Sequence, residues 1–270
     1  MGDQRPIGVF DSGVGGLTVL KAIRDRLPLE STIYVADLLH VPYGPRYQEE
    51  VRGFSIDIIR YLESRDVKLV VIACNTATAA SLNQARELFE LPVIGVISPG
   101  AQAAVEATKN NRIGVISTEG TTRSQAYLHA IKEIDPMAGV YQTACPDLVE
   151  IVEAGEADSQ RAEIKLREYL ADIVRLGADT LVLGCTHYPL LKPAINRIHP
   201  GTFTLIDSAT TTAAKVERHL EHSRMRATDG TPRHEVLVTA TPKRFDEIAA
   251  NFFGAAIRAE EVQIWEPQKT

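Results

Sequence analysis

The sequence predicts an α/β protein with two pseudo-symmetric domains, each a mostly parallel sheet flanked by helices. Short apolar runs alternate with longer segments whose apolar residues recur at helical spacing. The short runs are apolar on both faces, which is typical of a parallel sheet covered by helices on both sides. After residue 99 the same alternation starts again, which indicates a second half of similar design.

The periodicity assigns the elements in chain order. In the first half it predicts strands at residues 7–10, 31–36, 69–73 and 93–96, with helices at 17–27, 48–64 and 78–89. In the second half it predicts strands at 112–116, 139–143, 180–183 and 202–206, with helices at 124–134, 159–176 and 190–198. The charged stretch 222–233 predicts an irregular connection, followed by a strand at 235–239, a helix at 242–253 and a final strand near 262–265.

Three pairs of similar segments indicate an internal repeat. The run that begins at Ile7 resembles the run that begins at Ile113, and Ala36-Asp37 would match Ala144-Cys145. The run that ends at Cys74 resembles the run that ends at Cys185. The pairs follow one another at a nearly constant offset, and the last segment can return to the first half. We therefore predict a discontinuous first domain, residues 1–98 plus 208–270, and a second domain, residues 99–207.

Composition limits the classes of function. The chain has 270 residues, of which 44% are hydrophobic and 24% charged, so a sizeable core can form. Its net charge is −6 and no Lys/Arg block is present, so binding to nucleic acid or to a membrane surface is not expected. It has neither a signal-peptide pattern nor an apolar stretch of the roughly 18 residues that span a bilayer. These features predict a cytoplasmic protein, in which the three cysteines are free thiols.

Two of the three cysteines stand in matched contexts. Cys74 and Cys185 each follow an apolar strand and precede a predicted helix. Ligands of open α/β sheets bind beyond such strand ends, and helix N-termini favour anions and lower a thiol pKa. To invert a tetrahedral carbon, a base removes hydrogen from one face and an acid delivers a proton to the other. One thiolate and one thiol can do both, so the pair predicts a cofactor-independent amino-acid racemase.

Other uses of these cysteines remain open. A cysteine at a strand end can be a small buried hydrophobe, and we expect this of Cys145, which has no polar companions. A zinc site could use Cys74, Cys185 and His187, although no typical ligand spacing is present. A Cys–His hydrolase, with His187 as the base, would leave the second matched cysteine without a role.

A glycine-rich turn follows the first predicted strand, in the sequence Asp11-Ser12-Gly13-Val14-Gly15-Gly16. It lacks the G-x-G-x-x-G spacing and the lysine of nucleotide-binding loops. If the turn faces the cleft, Asp11 could hold a substrate ammonium or assist a thiol, and Ser12 could bind a carboxylate. The alternative is that either residue only caps the following helix. Further along, Pro42-Tyr43-Gly44-Pro45 predicts a turn.

These motifs together resemble the glutamate racemase family of the aspartate/glutamate racemase superfamily. The matching segments run in family order over essentially the whole chain: Phe10 to Gly16, Pro42-Tyr43-Gly44, Ala73-Cys74-Asn75-Thr76-Ala77, Ala144-Cys145-Pro146 and Gly184-Cys185-Thr186-His187-Tyr188-Pro189. The chain departs from the family pattern in Ser117-Thr118, where Gly-Thr is usual, and at Glu150, where a proline is common.

The resemblance implies an enzyme that interconverts L- and D-glutamate for peptidoglycan and cell-wall biogenesis. It implies an active site between the two pseudo-symmetric domains, no pyridoxal phosphate, no metal and a homodimer. It makes Cys74 and Cys185 the acid–base pair, Asp11 and His187 the residues that tune the thiols, and Glu153 the acidic residue of the second half. The substrate-binding residues that it implies are Asp11, Ser12, Tyr43, Gly44, Asn75, Thr76, Thr118, Thr186 and His187.

The residue after the second Cys-Thr bears on the choice of substrate. Aspartate racemases of the superfamily typically carry Glu there, so His187 favours glutamate. An aspartate racemase remains the alternative within the superfamily. A non-catalytic glutamate-binding or regulatory module, and an interaction protein such as a DNA gyrase partner, remain alternatives from other classes, because fold alone does not settle function.

Overall fold

Ten strands and eleven α-helices are found in the described part of the chain. The computed structural model describes residues 2–253 and 257–265. The strands are β1 (Ile7–Asp11), β2 (Thr32–Ala36), β3 (Leu69–Ile72), β4 (Val93–Gly95), β5 (Arg112–Ser117), β6 (Gly139–Ala144), β7 (Thr180–Gly184), β8 (Thr204–Asp207), β9 (His234–Val238) and β10 (Glu260–Glu261). The helices are α1 (Leu17–Arg26), α2 (Gln48–Ser64), α3 (Asn75–Leu88), α4 (Ile97–Ala107), α5 (Glu119–Ser124), α6 (Ala126–Ile134), α7 (Asp147–Glu153), α8 (Gln160–Arg175), α9 (Lys192–Ile198), α10 (Ser208–His222) and α11 (Pro242–Phe253).

The strands form two parallel sheets, which confirms the predicted fold class. The first has the order β10-β9-β2-β1-β3-β4 and the second the order β6-β5-β7-β8, and every paired strand runs parallel to its neighbour. A parallel sheet hides both faces, which is why its strands read as continuous apolar runs. On the first sheet, Val9 and Val71 pack on one side with Val216 of α10. Phe10 and Ile72 pack on the other side with residues of α2 and α3.

The two sheets share one strand arrangement. The order β2-β1-β3-β4 in the first matches β6-β5-β7-β8 in the second. The backbone N–H of Asp37 donates to Asp11 O over 3.0 Å, and the N–H of Cys145 donates to Ser117 O over 2.8 Å. These equivalent bonds extend the repeat to individual residues. The strands before Cys74 and Cys185, β3 and β7, are therefore equivalent.

Domain boundaries stay a prediction. Strands from residues 7–95 and 234–261 form the first sheet, and strands from 112–207 form the second. The predicted boundary between residues 98 and 99 falls inside α4, so one continuous helix runs across it.

Several predicted elements differ from the structure. The helix predicted at 124–134 is α6, which begins at Ala126 because Gln125 adopts a left-handed conformation with φ 55° and separates it from α5. The final strand predicted near 262–265 lies slightly earlier, because Glu260–Glu261 pair with β9. Helices α4, α5, α7 and α10 were not predicted. Within the described residues, no helix is long and apolar enough to cross a membrane.

Candidate active site

Cys74 lies where β3 gives way to α3. Its backbone is extended and its sulfur accepts the N–H of Ala77 over 3.4 Å, so the thiol itself caps the helix. The thiol also lies 3.9 Å from the Ser12 hydroxyl, to which it can donate. Burial, and then the charge of Asp11, raise the pKa of Cys74 well above its usual range. The expectation that helix α3 lowers this pKa is therefore wrong, because desolvation outweighs the N-terminal field.

Cys185 follows β7, and the groups around its thiol differ from those around the thiol of Cys74. The residues after it form a 3₁₀ turn, Tyr188–Leu191, so Thr186-His187 do not begin an α-helix as predicted. Instead the Cys185 sulfur lies 3.8 Å from Nδ1 of His187, whose Nε2 lies 3.0 Å from Oε1 of Glu153. Burial opposes protonation of this imidazole, but hydrogen bonds with Cys185 and Glu153 raise the pKa of His187 to about 10. His187 is thus an imidazolium at neutral pH.

The two thiols are both buried and influence each other electrostatically. Each is only 6% exposed. A charge on Cys185 contributes to the raised pKa of Cys74, which places the two sulfurs within electrostatic reach of each other. The arrangement places a buried thiol from each half near the other, with the carboxyl group of Asp11 beside one and the imidazolium of His187 beside the other. Such a pair can remove and deliver protons in a water-poor environment.

Asp11 is the last residue of β1 and is 1% exposed. Its Oδ2 accepts the N–H of Gly16 over 2.8 Å and that of Gly13 over 3.4 Å, so the carboxylate closes the glycine-rich turn as a cap would. Burial raises its pKa, while the charge of His187 opposes the rise. Asp11 therefore combines the structural role expected of a cap with a position beside Cys74 and His187.

The glycine-rich turn allows the two halves to approach each other closely, which the sequence did not reveal. A Cβ atom on Gly15 would collide with Oγ1 of Thr186 and would lie 2.6 Å from Nδ1 of His187. The backbone of the first half can approach these residues only because position 15 has no side chain. The Thr18 hydroxyl, 3.3 Å from Thr186 O, adds a second contact between the halves.

The turn with Tyr43 and Gly44 lies against the second half. Gly44 O accepts the N–H of Gly120 over 2.8 Å. The Tyr43 ring is buried and its hydroxyl donates to Oδ2 of Asp37 over 2.6 Å. Any ligand contact by Tyr43 would therefore be made through its backbone.

Three hydroxyls form a cluster beside this turn. Oγ1 of Thr76, in the first turn of α3, lies 2.8 Å from Oγ1 of Thr118, which caps α5. Thr121 joins the cluster, at 3.3 Å from Thr76 Oγ1, and no sequence motif pointed to it. The predicted residues Thr76 and Thr118 thus meet, although they come from different halves.

Asn75 and Thr186 are the remaining predicted site residues. Both are buried, and each directly follows one of the thiols. Oδ1 of Asn75 accepts the hydroxyl of Tyr127 over 2.8 Å. Tyr127 was not identified from the sequence, because it lies in an ordinary helix without a motif. Among the described residues, no group of three or more His, Cys, Asp or Glu side chains could hold a metal ion.

The chain matches known proteins in sequence and in structure. The Asp/Glu/Hydantoin racemase family model matches residues 17–216. The glutamate racemase of Geobacter metallireducens is 45% identical over 254 residues, which cover 94% of each chain. A glutamate racemase isoform from Bacillus anthracis superposes with a TM-score of 0.93 at 40% identity, covering 97% of this chain and 98% of that one. The glutamate racemase of Francisella tularensis, solved in complex with D-glutamate, has a TM-score of 0.91 at 32% identity, with 97% and 98% covered. The chain therefore belongs to the Asp/Glu/Hydantoin racemase family and, within it, to the glutamate racemases.

Proposed function

We propose that this amino-acid racemase interconverts L- and D-glutamate by transferring protons between the α-carbon and two thiols, Cys74 and Cys185, without a cofactor. The observation that carries the proposal is the position of the two cysteines, each buried directly after one of two equivalent strands. The D-glutamate bound to the Francisella tularensis relative supports the choice of substrate.

The different surroundings of the thiols assign their roles in one direction. His187 carries its positive charge next to Cys185, whereas burial and Asp11 raise the pKa of Cys74 and keep it protonated. A Cys185 thiolate removes the α-proton, and the electron pair of the C–H bond remains on the substrate as a carbanion. The S–H bond of Cys74 then breaks, and its proton joins the opposite face of that carbon. By the family pattern, this direction consumes L-glutamate, and Cys74 acts on D-glutamate.

After one turnover the thiols have exchanged their protonation states. The starting state returns when Cys185 loses a proton and Cys74 gains one. Because the α-hydrogen of glutamate is very weakly acidic, preorganised charges and exclusion of water must provide much of the acceleration. The burial of both thiols supports this requirement.

Polar groups around the thiols would bind the two carboxylates and the ammonium group of glutamate. The N-terminus of α3 offers free backbone N–H groups at Asn75 and Thr76. We assign the remaining contacts to Asp11, Ser12, the backbone of Tyr43 and Gly44, and the side chains of Thr118, Thr186 and His187.

We also propose the wider setting that the family implies: a cytoplasmic homodimer that supplies D-glutamate for peptidoglycan, with the domain boundaries given above. Sedimentation equilibrium of the purified chain tests the dimer. A mass of one subunit across the concentration range would contradict it.

Solvent deuterium incorporation tests the two-thiol mechanism. Each enantiomer of glutamate, and of aspartate as the competing substrate, is incubated in deuterated buffer with the wild type, Cys74→Ala or Cys185→Ala. Mass spectrometry and chiral separation then follow the α-carbon. We expect the wild type to label and invert glutamate, and each single variant to stop net inversion. Cys145→Ala, which removes a buried thiol outside the pair, is the matched control. Normal racemisation by both variants would refute the mechanism.

A further inference from the structure

Tyr127 connects the two halves of the molecule beside both thiols. It lies in the first turn of α6, on the second half, and is completely buried. Its hydroxyl donates to Oδ1 of Asn75 on α3 of the first half, over 2.8 Å. Asn75 directly follows Cys74, so this bond reaches the residue next to one thiol.

The ring of Tyr127 packs against the residue next to the other thiol. A Cβ atom on Gly184, which directly precedes Cys185, would lie 3.0 Å from Cε2 of the ring. A Cβ atom on Gly100, in the helix that joins the halves, would lie 3.3 Å from the tyrosine oxygen. The two glycines therefore leave the space in which this aromatic ring sits.

The bond to Tyr127 leaves Asn75 with an unused donor. Asn75 is 2% exposed, and its Nδ2 has no hydrogen-bond partner among the described residues. A buried amide N–H without a partner is unfavourable, and such groups are normally satisfied by protein, water or ligand. Because the Tyr127 hydroxyl donates to Oδ1, Nδ2 points to the other side of the amide. Its N–H group is held in one direction.

We propose that Tyr127 is a positioning residue for racemisation: it fixes the Asn75 side chain so that Nδ2 donates to a carboxylate of the substrate. This inference rests on the proposed function. Tyr127 acts on the substrate through the amide of Asn75, while its hydroxyl also contacts the side chain of Ser208. The ring, held by the two glycines, keeps its hydroxyl in place when the substrate enters.

Steady-state kinetics of Tyr127→Phe test the proposal. The variant keeps the ring and its packing, and removes only the hydroxyl. We expect the KM for both enantiomers of glutamate to rise about tenfold, the equivalent of one hydrogen bond to a charged group, with kcat changed less than about threefold. Tyr188→Phe is the matched control. Tyr188 is also completely buried, but its hydroxyl donates to the backbone oxygen of Cys145 over 2.8 Å, away from Asn75.

A double-mutant cycle separates positioning from a general loss of stability. Asn75→Ala removes the amide, so adding Tyr127→Phe to it should raise KM no further. Asn75→Asp keeps the acceptor for Tyr127 but replaces the amide donor by a carboxylate oxygen, so it should raise KM. This variant tests the role of the Asn75 donor without relying on the folding of Tyr127→Phe.

The outcomes distinguish this inference from the proposed function. If the wild type racemises glutamate while Tyr127→Phe shows the KM of Tyr188→Phe, the positioning role is refuted. Additive effects of Tyr127→Phe and Asn75→Ala would refute it as well. A wild type that does not exchange the α-hydrogen would refute the proposed function itself.

Discussion

Nε2 of His187 lies 3.0 Å from Oε1 of Glu153, and this contact connects the second thiol to a carboxylate at the edge of the site. Despite burial, the partners Cys185 and Glu153 raise the pKa of His187 to about 10. The imidazolium therefore persists through neutral pH and is lost as the pH rises through about 10. Because its charge is adjacent to Cys185, this titration should limit activity on the alkaline side.

Glu153→Gln should lower the pKa of His187, because the variant removes a negative charge that stabilises the imidazolium. The alkaline fall of kcat/KM should then begin at lower pH, by roughly one pH unit. The pH profile of the wild type and the variant measures this shift in both reaction directions. Glu150→Gln is the control, since this exposed residue of the same helix pairs with Arg161 instead. Superimposable profiles for all three proteins would show that Glu153 does not act on His187.

Gly15→Ala should reduce kcat/KM at least tenfold in both directions. Its methyl group would lie 2.6 Å from Nδ1 of His187, so the imidazole or the turn must move, and small displacements of catalytic groups cost large factors in rate. Gly13→Ala is the control within the same turn, because a Cβ there first meets Val41, at 3.8 Å. Equal activities of the two variants would contradict a specific role for position 15.

The sequence predicted best the elements whose periodicity is long and whose core residues are large. Helix α2 has the predicted bounds, Gln48–Ser64, because its apolar side chains recur over many turns. Helix α10 was missed because small residues such as Ala209 and Ala213 form much of its buried face and do not stand out as an apolar stripe. Helix α4 was missed because the pattern restarts after residue 99, although the helix runs through Pro99, since proline is tolerated in a first turn.

The residues of the candidate site likewise divide into those that the sequence could predict and those that it could not. Parallel strands end at one edge, so residues that follow β1, β3 and β7 could be grouped from the sequence. The residues that contact each other across the two halves could not be predicted in this way. Neither Tyr127 near Asn75 nor Gly15 near His187 leaves a local pattern, because each pair forms only when the two sheets meet. The thiol pKa was mispredicted for a related reason, since burial depends on the assembled core.

Glu30→Gln should destabilise the protein without changing the chemistry of the folded fraction. Lys68 is 0% and Glu30 2% exposed at their side chains, and Nζ lies 2.5 Å from Oε2. Lys68 also donates to the carbonyl oxygens of Asp3 and Met225. Removing one partner leaves a buried charge uncompensated, so the free energy of unfolding should fall by about 3–5 kcal/mol. Urea denaturation measures it.

The control for this ion pair lies on the surface. Asp25→Asn breaks the exposed pair with Lys21, where a change of about 0–1 kcal/mol is expected. If Glu30→Gln cost no more than this control, the buried pair would have no special role in stability.

Cys145→Ala should leave racemisation within about twofold of the wild type and lower the free energy of unfolding by about 1 kcal/mol. Cys145 occupies the position equivalent to Asp37, but its thiol is buried among apolar residues such as Leu148 and donates only to Thr143 O, over 3.5 Å. Burial raises its pKa, so it stays protonated at neutral pH. Kinetics in both directions, together with α-deuterium labelling, check the prediction. If Cys145→Ala stopped inversion as Cys185→Ala is expected to do, a third thiol would take part, and the symmetric pair would no longer account for the reaction.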